Sequence, residues 1–304
     1  MDQMESSEPQ IEANHGDSVP DVRAMGDEQE SQEVWRQRCG IKTDKQIRLV
    51  KLVHMRYQHP DLELITTFLH GLPSASEIQE LTEAPGGGYL VTLTDPDGFP
   101  INLIWGQSPS SSLEDPPKLI YNFENEKPRV RKFQRFTPGP AAVHKLGHYG
   151  LCTQNFEALV DFYTTTFNIV PSDFMYTEKE GQKQNVAMFA HIDRGEDYVD
   201  HHSIFLNAND TPHVHHCSFE VHDFDTQKLG HQWLAEKGYE SVWGVGRHIL
   251  GSQIFDYWWD TTGNMIEHYA DGDIVNCKTP VGYGLSGDAS LAVWGPEVPA
   301  AFLQ

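Results

Sequence analysis

His148, His216 and Glu267 are the residues whose types and placement could do chemistry together. His148 lies in LGHYGLCTQNF and His216 in VHHCSFEVHDF. In each stretch a strand-like run ends, seven residues after the histidine, at Asn155 or Asp223, and a helix-period segment follows. Asn and Asp cap helices because their side-chain oxygens accept from first-turn N–H groups. The two histidines thus occupy equivalent positions of an internal repeat. Glu267 comes from the hairpin FDYWWDTTGNMIEHY. A turn centred on Thr262 pairs Trp259 with Met265 and Tyr257 with Glu267, and such cross-strand partners share a face with Cβ atoms about 5 Å apart. Two neutral imidazoles and one carboxylate are the donor set of non-haem iron(II) oxygenases; they leave coordination positions open and the site cationic. The plainer alternative is two ordinary strand histidines and a solvated edge carboxylate, since 16 histidines offer many chance sets.

The elements that must position this set follow from periodicity. In HVHHCSFEV, alternation puts His216 and Ser218 on one face and Cys217, Phe219 and Val221 on the other. The apolar face packs on the following helix, so His216 looks into the opposite concavity, with His215 as a structural or rim residue. Each unit reads strand, helix, three strands, at about 143–210 and 213–271. A weaker copy spans about 45–106, where His54 is followed seven residues later by Asp61. Its hairpin DPDGFPINLIW carries Asn102 at the position of Glu267, so this copy cannot build the same set and His54 is a non-ligand. The predicted fold class is α+β, with repeated βαβββ modules forming cup-shaped, partly closed mixed sheets. The predicted organisation is a disordered acidic segment at 1–40, a degenerate metal-free βαβββ domain at 41–106, and a Pro- and Ser-rich linker at 107–140. A catalytic domain of two modules at 141–272 and an irregular surface tail at 273–304 complete it.

Bulk properties narrow the function classes. The 304 residues carry 22 basic and 44 acidic side chains, a net charge of −22. Residues 1–33 hold ten acids against Arg23 alone, or −9. That acidity repels phosphate backbones and argues against nucleic-acid binding. Four cysteines without CxxC spacing are expected to be reduced thiols. No apolar run approaches the roughly 18 residues of a membrane span, and the first residues lack signal-peptide character. A soluble cytoplasmic protein without membrane partners is expected.

The stretches GHYGL, HHCSFEV and GRH…FDYWWDTTGNMIEHY, taken in order and spacing, resemble the signature of type I extradiol ring-cleavage dioxygenases of the vicinal oxygen chelate superfamily. The resemblance covers about 140–272 well and 45–106 faintly. It implies iron(II) held by His148, His216 and Glu267, with manganese also admitted by the donor set. It implies acid–base catalysis by His202, in DHHSIFLN, and substrate contacts from His248 and Tyr257, with Arg247 of GRH matching as well. Phe189, in MFAH, stands where some relatives have Trp and is expected to touch substrate. The implied reaction takes an aromatic diol and O2 and opens the ring beside the diol, in a homo-oligomer. The chain departs from the pattern at Gly150, where many relatives carry a polar side chain, and in the longer loop RGEDYVD before His202, with His201 as that residue's rival. The alternatives are an isomerase or lyase, which fills its metal with a fourth protein ligand, and a metal-free binding protein of the same fold.

Overall fold

The computed structural model describes residues 28–43, 46, 47, 49, 75–108, 118–287 and 290–304. Two elements fall inside the segment expected to be disordered to residue 40: strand β1 (Glu28–Glu30) and helix α1 (Gln32–Cys39). Ser31 caps α1 by accepting from the Val34 N–H, and Gly40 closes it in the left-handed region at φ 68°. The acidic composition hides one large apolar anchor, Trp35, which is buried in the main core. The Gln32 amide adds hydrogen bonds to the carbonyls of Asn276 and Thr279.

Strands β2 (Gln79–Glu80), β3 (Tyr89–Thr94) and β4 (Pro100–Trp105) form a small antiparallel sheet. His54, Asp61 and the helix expected between them lie outside the described residues. Asn102 is exposed on β4 and accepts a hydrogen bond from Thr92 Oγ1 at 2.8 Å. Residues 118–142 carry no helix or strand.

The two repeats follow with the same element order, save for one short extra strand in the first. The first comprises β5 (Val143–Thr153), α2 (Phe156–Thr166), β6 (Ile169–Lys179) and β7 (Gln182–Ile192), then the short β8 (Val199–Asp200) and β9 (Ile204–Ala208). The second comprises β10 (His213–Val221), α3 (Phe224–Glu236), β11 (Ser241–His248), β12 (Ile254–Trp259) and β13 (Met265–Ala270). In each, the first strand lies parallel to the last, β5 beside β9 and β10 beside β13. The modules join by antiparallel pairing of β5 with β10. Asp223 caps α3 as expected, accepting from the Thr226 N–H at 2.8 Å. Asn155 does not cap α2; its amide is drawn to Asp97, in the turn before β4.

The segment after residue 272 is not an irregular tail. Strand β14 (Ile274–Val275) pairs with β8, β15 (Val281–Leu285) pairs with β6, and β16 (Ala292–Trp294) pairs with β11. Strand β1 then adds to β15. The resulting eleven-stranded sheet ends at β1 and β16, which do not meet, so it is open. Strand β15 with β1 on one side and β16 on the other extend the outer edges of the two modules and cover backbone groups that would otherwise be unpaired. Strands β14 and β8 form a separate two-stranded sheet. The main core packs Leu159, Tyr163 and Phe167 against Leu151, Met188 and Leu206 on one side and Leu93 and Ile101 of the small sheet on the other. A second cluster joins Trp243, Phe255, Tyr257 and Met265 with Val298 and Phe302. No helix among the described residues is long and apolar enough to cross a membrane.

Candidate metal centre and pocket

Four neighbouring strands, β5, β10, β13 and β12, carry the site. Ser218 of β10 stands opposite His148 of β5 and opposite Glu267 of β13, and Glu267 faces Tyr257 of β12. One row across the sheet therefore reads His148, Ser218, Glu267, Tyr257. The pairing of Tyr257 with Glu267 and of Trp259 with Met265 is the register that a turn centred on Thr262 demands. His216 lies two residues before Ser218 and so on the same face. Ser218 is short and fully buried, which leaves room for its longer neighbours to converge above it.

They do converge. His148 Nε2 is 3.0 Å from Glu267 Oε2, His216 Nε2 is 3.7 Å from the same oxygen, and the two imidazole nitrogens are 3.1 Å apart. The ligand atoms of His148, His216 and Glu267 all lie within 4.8 Å of one another, the one such group among the described residues. All three side chains are buried. Neither oxygen of Glu267 takes part in a well-formed hydrogen bond. Burial opposes its ionisation, but the imidazoles of His148, His216 and His248 outweigh this and hold its carboxyl below the usual range. A buried anion without donors is costly unless a cation joins it. The donor set and the orphaned carboxylate fit a divalent metal ion.

Hydrogen bonding sets the tautomer of His216. The Phe302 carbonyl can only accept, so His215 Nε2, 2.8 Å away, carries a proton. His215 Nδ1 is then a bare acceptor, and His216 Nδ1, at 2.7 Å, donates to it. This leaves the His216 Nε2 lone pair facing Glu267, as a metal ligand requires. Burial lowers the pKa of both rings, most strongly at His216, and keeps them neutral. His215 is thus no mere rim residue. A register shift between Val214 and His216 turns both rings inward.

The remaining expected residues divide. His202, between β8 and β9, is buried with its ring centroid 4.1 Å from that of His148. Burial, then the neighbouring imidazoles, push its pKa well below the ordinary value. His248 ends β11 and donates from Nδ1 to the Leu291 carbonyl at 2.8 Å, so its Nε2 accepts from the Tyr257 hydroxyl at 2.9 Å. Burial and the Glu267 carboxylate raise the Tyr257 phenol well above its usual pKa. Phe189 lines the pocket, 5.2 Å from the His202 ring. Arg247 does not reach it. Its guanidinium is taken by the Ser252 carbonyl and by Asp271 at 2.9 Å, because adjacent strand residues point to opposite faces and His248 has the inner one. Asp271 lies 24 residues from Arg247 in sequence, and only folding brings the two together.

The repeat explains why there is one centre and not two. Gly150 is the counterpart of Ser218, and Phe205, which pairs with Gly150, is the counterpart of Glu267. Phe189, opposite Phe205, matches Tyr257. Aromatic rings replace the carboxylate and phenol, and they wall the pocket. Gly150 is dictated by space: a Cβ there would sit 2.9 Å from His216 Cε1 and Nδ1 and 2.9 Å from Phe205. The cavity above the centre holds about 160 Å³ and is lined on one side by Leu291, Phe302 and Leu303. Sequence reasoning missed that wall; the apolar run AFL at 301–303 is the signal that marks it.

Residues 145–268 match the family model of the Glyoxalase/Bleomycin resistance protein/Dioxygenase superfamily. Metapyrocatechase 2 of Cupriavidus necator is 30% identical over 214 residues, covering 69% of this chain and 62% of that protein. The chain thus spans less than two thirds of that relative's length. Homoprotocatechuate 2,3-dioxygenase from Arthrobacter globiformis aligns with a TM-score of 0.58 at 18% identity, over 82% of this chain and 71% of that one. The 2,3-dioxygenase LapB from Pseudomonas sp. KL28 gives 0.57 at 16% identity, over 74% and 72%. The Mn(II)-bound glyoxalase from Novosphingobium aromaticivorans gives 0.58 at 21%, over 78% and 68%. At these identities the three structures speak to the fold.

Proposed function

We propose that this chain, which matches the family model of the Glyoxalase/Bleomycin resistance protein/Dioxygenase superfamily over residues 145–268, is an iron(II) extradiol dioxygenase acting on a catechol-type diol. The observation that carries this reading is the convergence of His148, His216 and Glu267 within 4.8 Å in a buried pocket beside His202, His248 and Tyr257. Both atoms of O2 enter the product, one ring C–C bond next to the diol breaks, and the ring supplies the electrons that O2 takes up. No external reductant is needed. His148, His216 and Glu267 would hold a divalent ion, which would supply Lewis acidity toward the diol and bring the two reactants together.

The protein's own groups do the rest. The Tyr257 hydroxyl can turn its proton from His248 Nε2 to a diol oxygen and steady the anion left when a proton departs. The bare His248 Nε2 can then accept from the diol hydroxyl that keeps its proton. His202, kept neutral by burial, accepts that proton and returns it later. The apolar wall of Phe189, Phe205, Leu291 and Phe302 excludes water and strengthens these polar contacts. A cavity of about 160 Å³ suits a single substituted ring. An isomerase or lyase of this fold calls for a fourth protein ligand, and the group among the described residues has three.

The test is anaerobic purification, reconstitution with iron(II) or manganese(II), and oxygen uptake with a panel of catechols and hydroquinones. Stoichiometric O2 consumption with a yellow ring-opened product is expected. Bound metal without O2 uptake on any diol would overturn the reading.

A further inference from the structure

We propose that Asp173 and His201 are positioning residues that set the tautomer and direction of His202, an inference that rests on the acid–base role given to His202 above. Asp173, on β6, places Oδ2 2.7 Å from His201 Nε2. A carboxylate accepts, so that nitrogen carries the proton and His201 Nδ1 is bare. His202 Nδ1 lies 3.1 Å from it and donates to it. The second nitrogen of His202, Nε2, is thereby left as an unprotonated acceptor toward the pocket, the form needed to take a proton from a bound diol. The opposite tautomer presents an N–H there and cannot accept.

The surroundings hold this arrangement. The two rings stand at 89° with centroids 5.3 Å apart, and Phe189 packs edge-on against His202 at 79°. The backbone of His201 is fixed on both sides: its N–H donates to the Asp273 carbonyl at 3.0 Å, and its carbonyl accepts from Ser172 Oγ at 2.5 Å. Ser172 in turn bonds His191 Nδ1 at 2.7 Å. Gly282 of β15 pairs with Asp173, and a Cβ at residue 282 would lie 2.1 Å from Asp173 Oδ1. The carboxylate occupies the space that this glycine leaves. Exposure falls along the series, from 21% at the Asp173 side chain to 6% at His201, with His202 buried behind them. The acid–base residue is thus anchored from the outer side of the sheet by a carboxylate, as an imidazole is in hydrolase triads.

The test uses the full iron-loaded chain with catechol as the probe. Asp173→Asn can turn its amide N–H toward His201 Nε2 and reverse the chain of donors. It is expected to lower kcat about 10- to 100-fold, part of the general acid–base contribution, with KM and bound iron unchanged. In a His202→Phe background the same substitution should cause no further loss, and Asp173→Glu should restore part of the rate. Histidine 15N spectra of the full chain should show Nδ1–H at His202 and a shift toward Nε2–H in Asp173→Asn. His201→Asn provides a second variant should the first fold poorly, with the same loss of kcat expected. A wild-type kcat in Asp173→Asn while His202→Phe is slow, or an equal loss in both backgrounds, overturns this proposal alone. A wild-type kcat in His202→Phe overturns the acid–base reading beneath it.

Discussion

His215 Nε2 lies 2.8 Å from the carbonyl oxygen of Phe302, so a residue 87 positions downstream holds the imidazole that orients His216. The Phe302 ring also packs on His215, Trp243 and Tyr257 with centroids 4.6 to 5.0 Å apart. Removing residues 299–304 is expected to weaken divalent-metal affinity about 10- to 100-fold, as loss of an outer partner of a ligand does. His215→Phe, which keeps an aromatic ring and deletes the acceptor, should act in the same direction. Equilibrium metal titration checks both; wild-type affinity in either variant contradicts the orienting role.

Gly150→Ala tests the close approach of the His216 ring. The new methyl would meet His216 and Phe205 at 2.9 Å, so the imidazole must move. Metal affinity is expected to fall by at least about tenfold, with the far-ultraviolet circular dichroism of the wild type. Unchanged affinity would mean that the sheet gives way instead.

Glu267→Ala removes the anionic donor, and both bound iron and turnover should vanish. His202→Phe should retain iron and slow ring opening by about 10²–10⁴-fold. Metal analysis beside oxygen uptake separates the two roles. Iron lost in the second variant, or turnover kept in the first, reverses the assignment.

Acid should destabilise the metal-free protein at unusually high pH. Burial depresses the pKa of His191 to about 4 and lowers those of His202, His215, His216, His248 and His268. Below the ordinary imidazole value of 6.5 the unfolded chain binds protons that the folded chain refuses, so stability is full above that pH and falls as pH drops toward 4. His191 alone accounts for about 2 kcal/mol between pH 7 and pH 5. Urea titrations in the presence of a chelator measure it, and equal stability at the two pH values would refute it.

Arg247→Ala should leave KM for the diol unchanged. Its partner Asp271 is 71% exposed, and surface ion pairs of this kind contribute about 0–1 kcal/mol. A tenfold rise in KM would return Arg247 to the substrate site.

Much of the centre is written in local patterns. The Tyr257–Glu267 pairing follows from the length of one hairpin, and the equivalence of His148 and His216 follows from the repeat. The strand, helix, three-strand order of each module follows from periodicity. These features depend on neighbours along the chain, so composition and spacing are sufficient to read them. The small third copy is legible only in its hairpin, where Asn102 stands in for a carboxylate.

Other features depend on which distant segments come to lie together. Asn155 is a sound cap by type, yet Asp97 claims its amide. Arg247 and His248 are adjacent, and only the placement of β11 in the sheet decides which of them faces the pocket. Strands β1, β15 and β16 come from stretches that read as acidic or Gly- and Pro-rich, and they are recruited because the modules leave open edges and apolar faces. The Asp173–His201 and His215–Phe302 contacts likewise join segments with no shared pattern. Short-range periodicity specifies an element and the face it presents; the partner that covers that face is chosen by burial and hydrogen bonding summed over the whole chain, and no local window contains that sum.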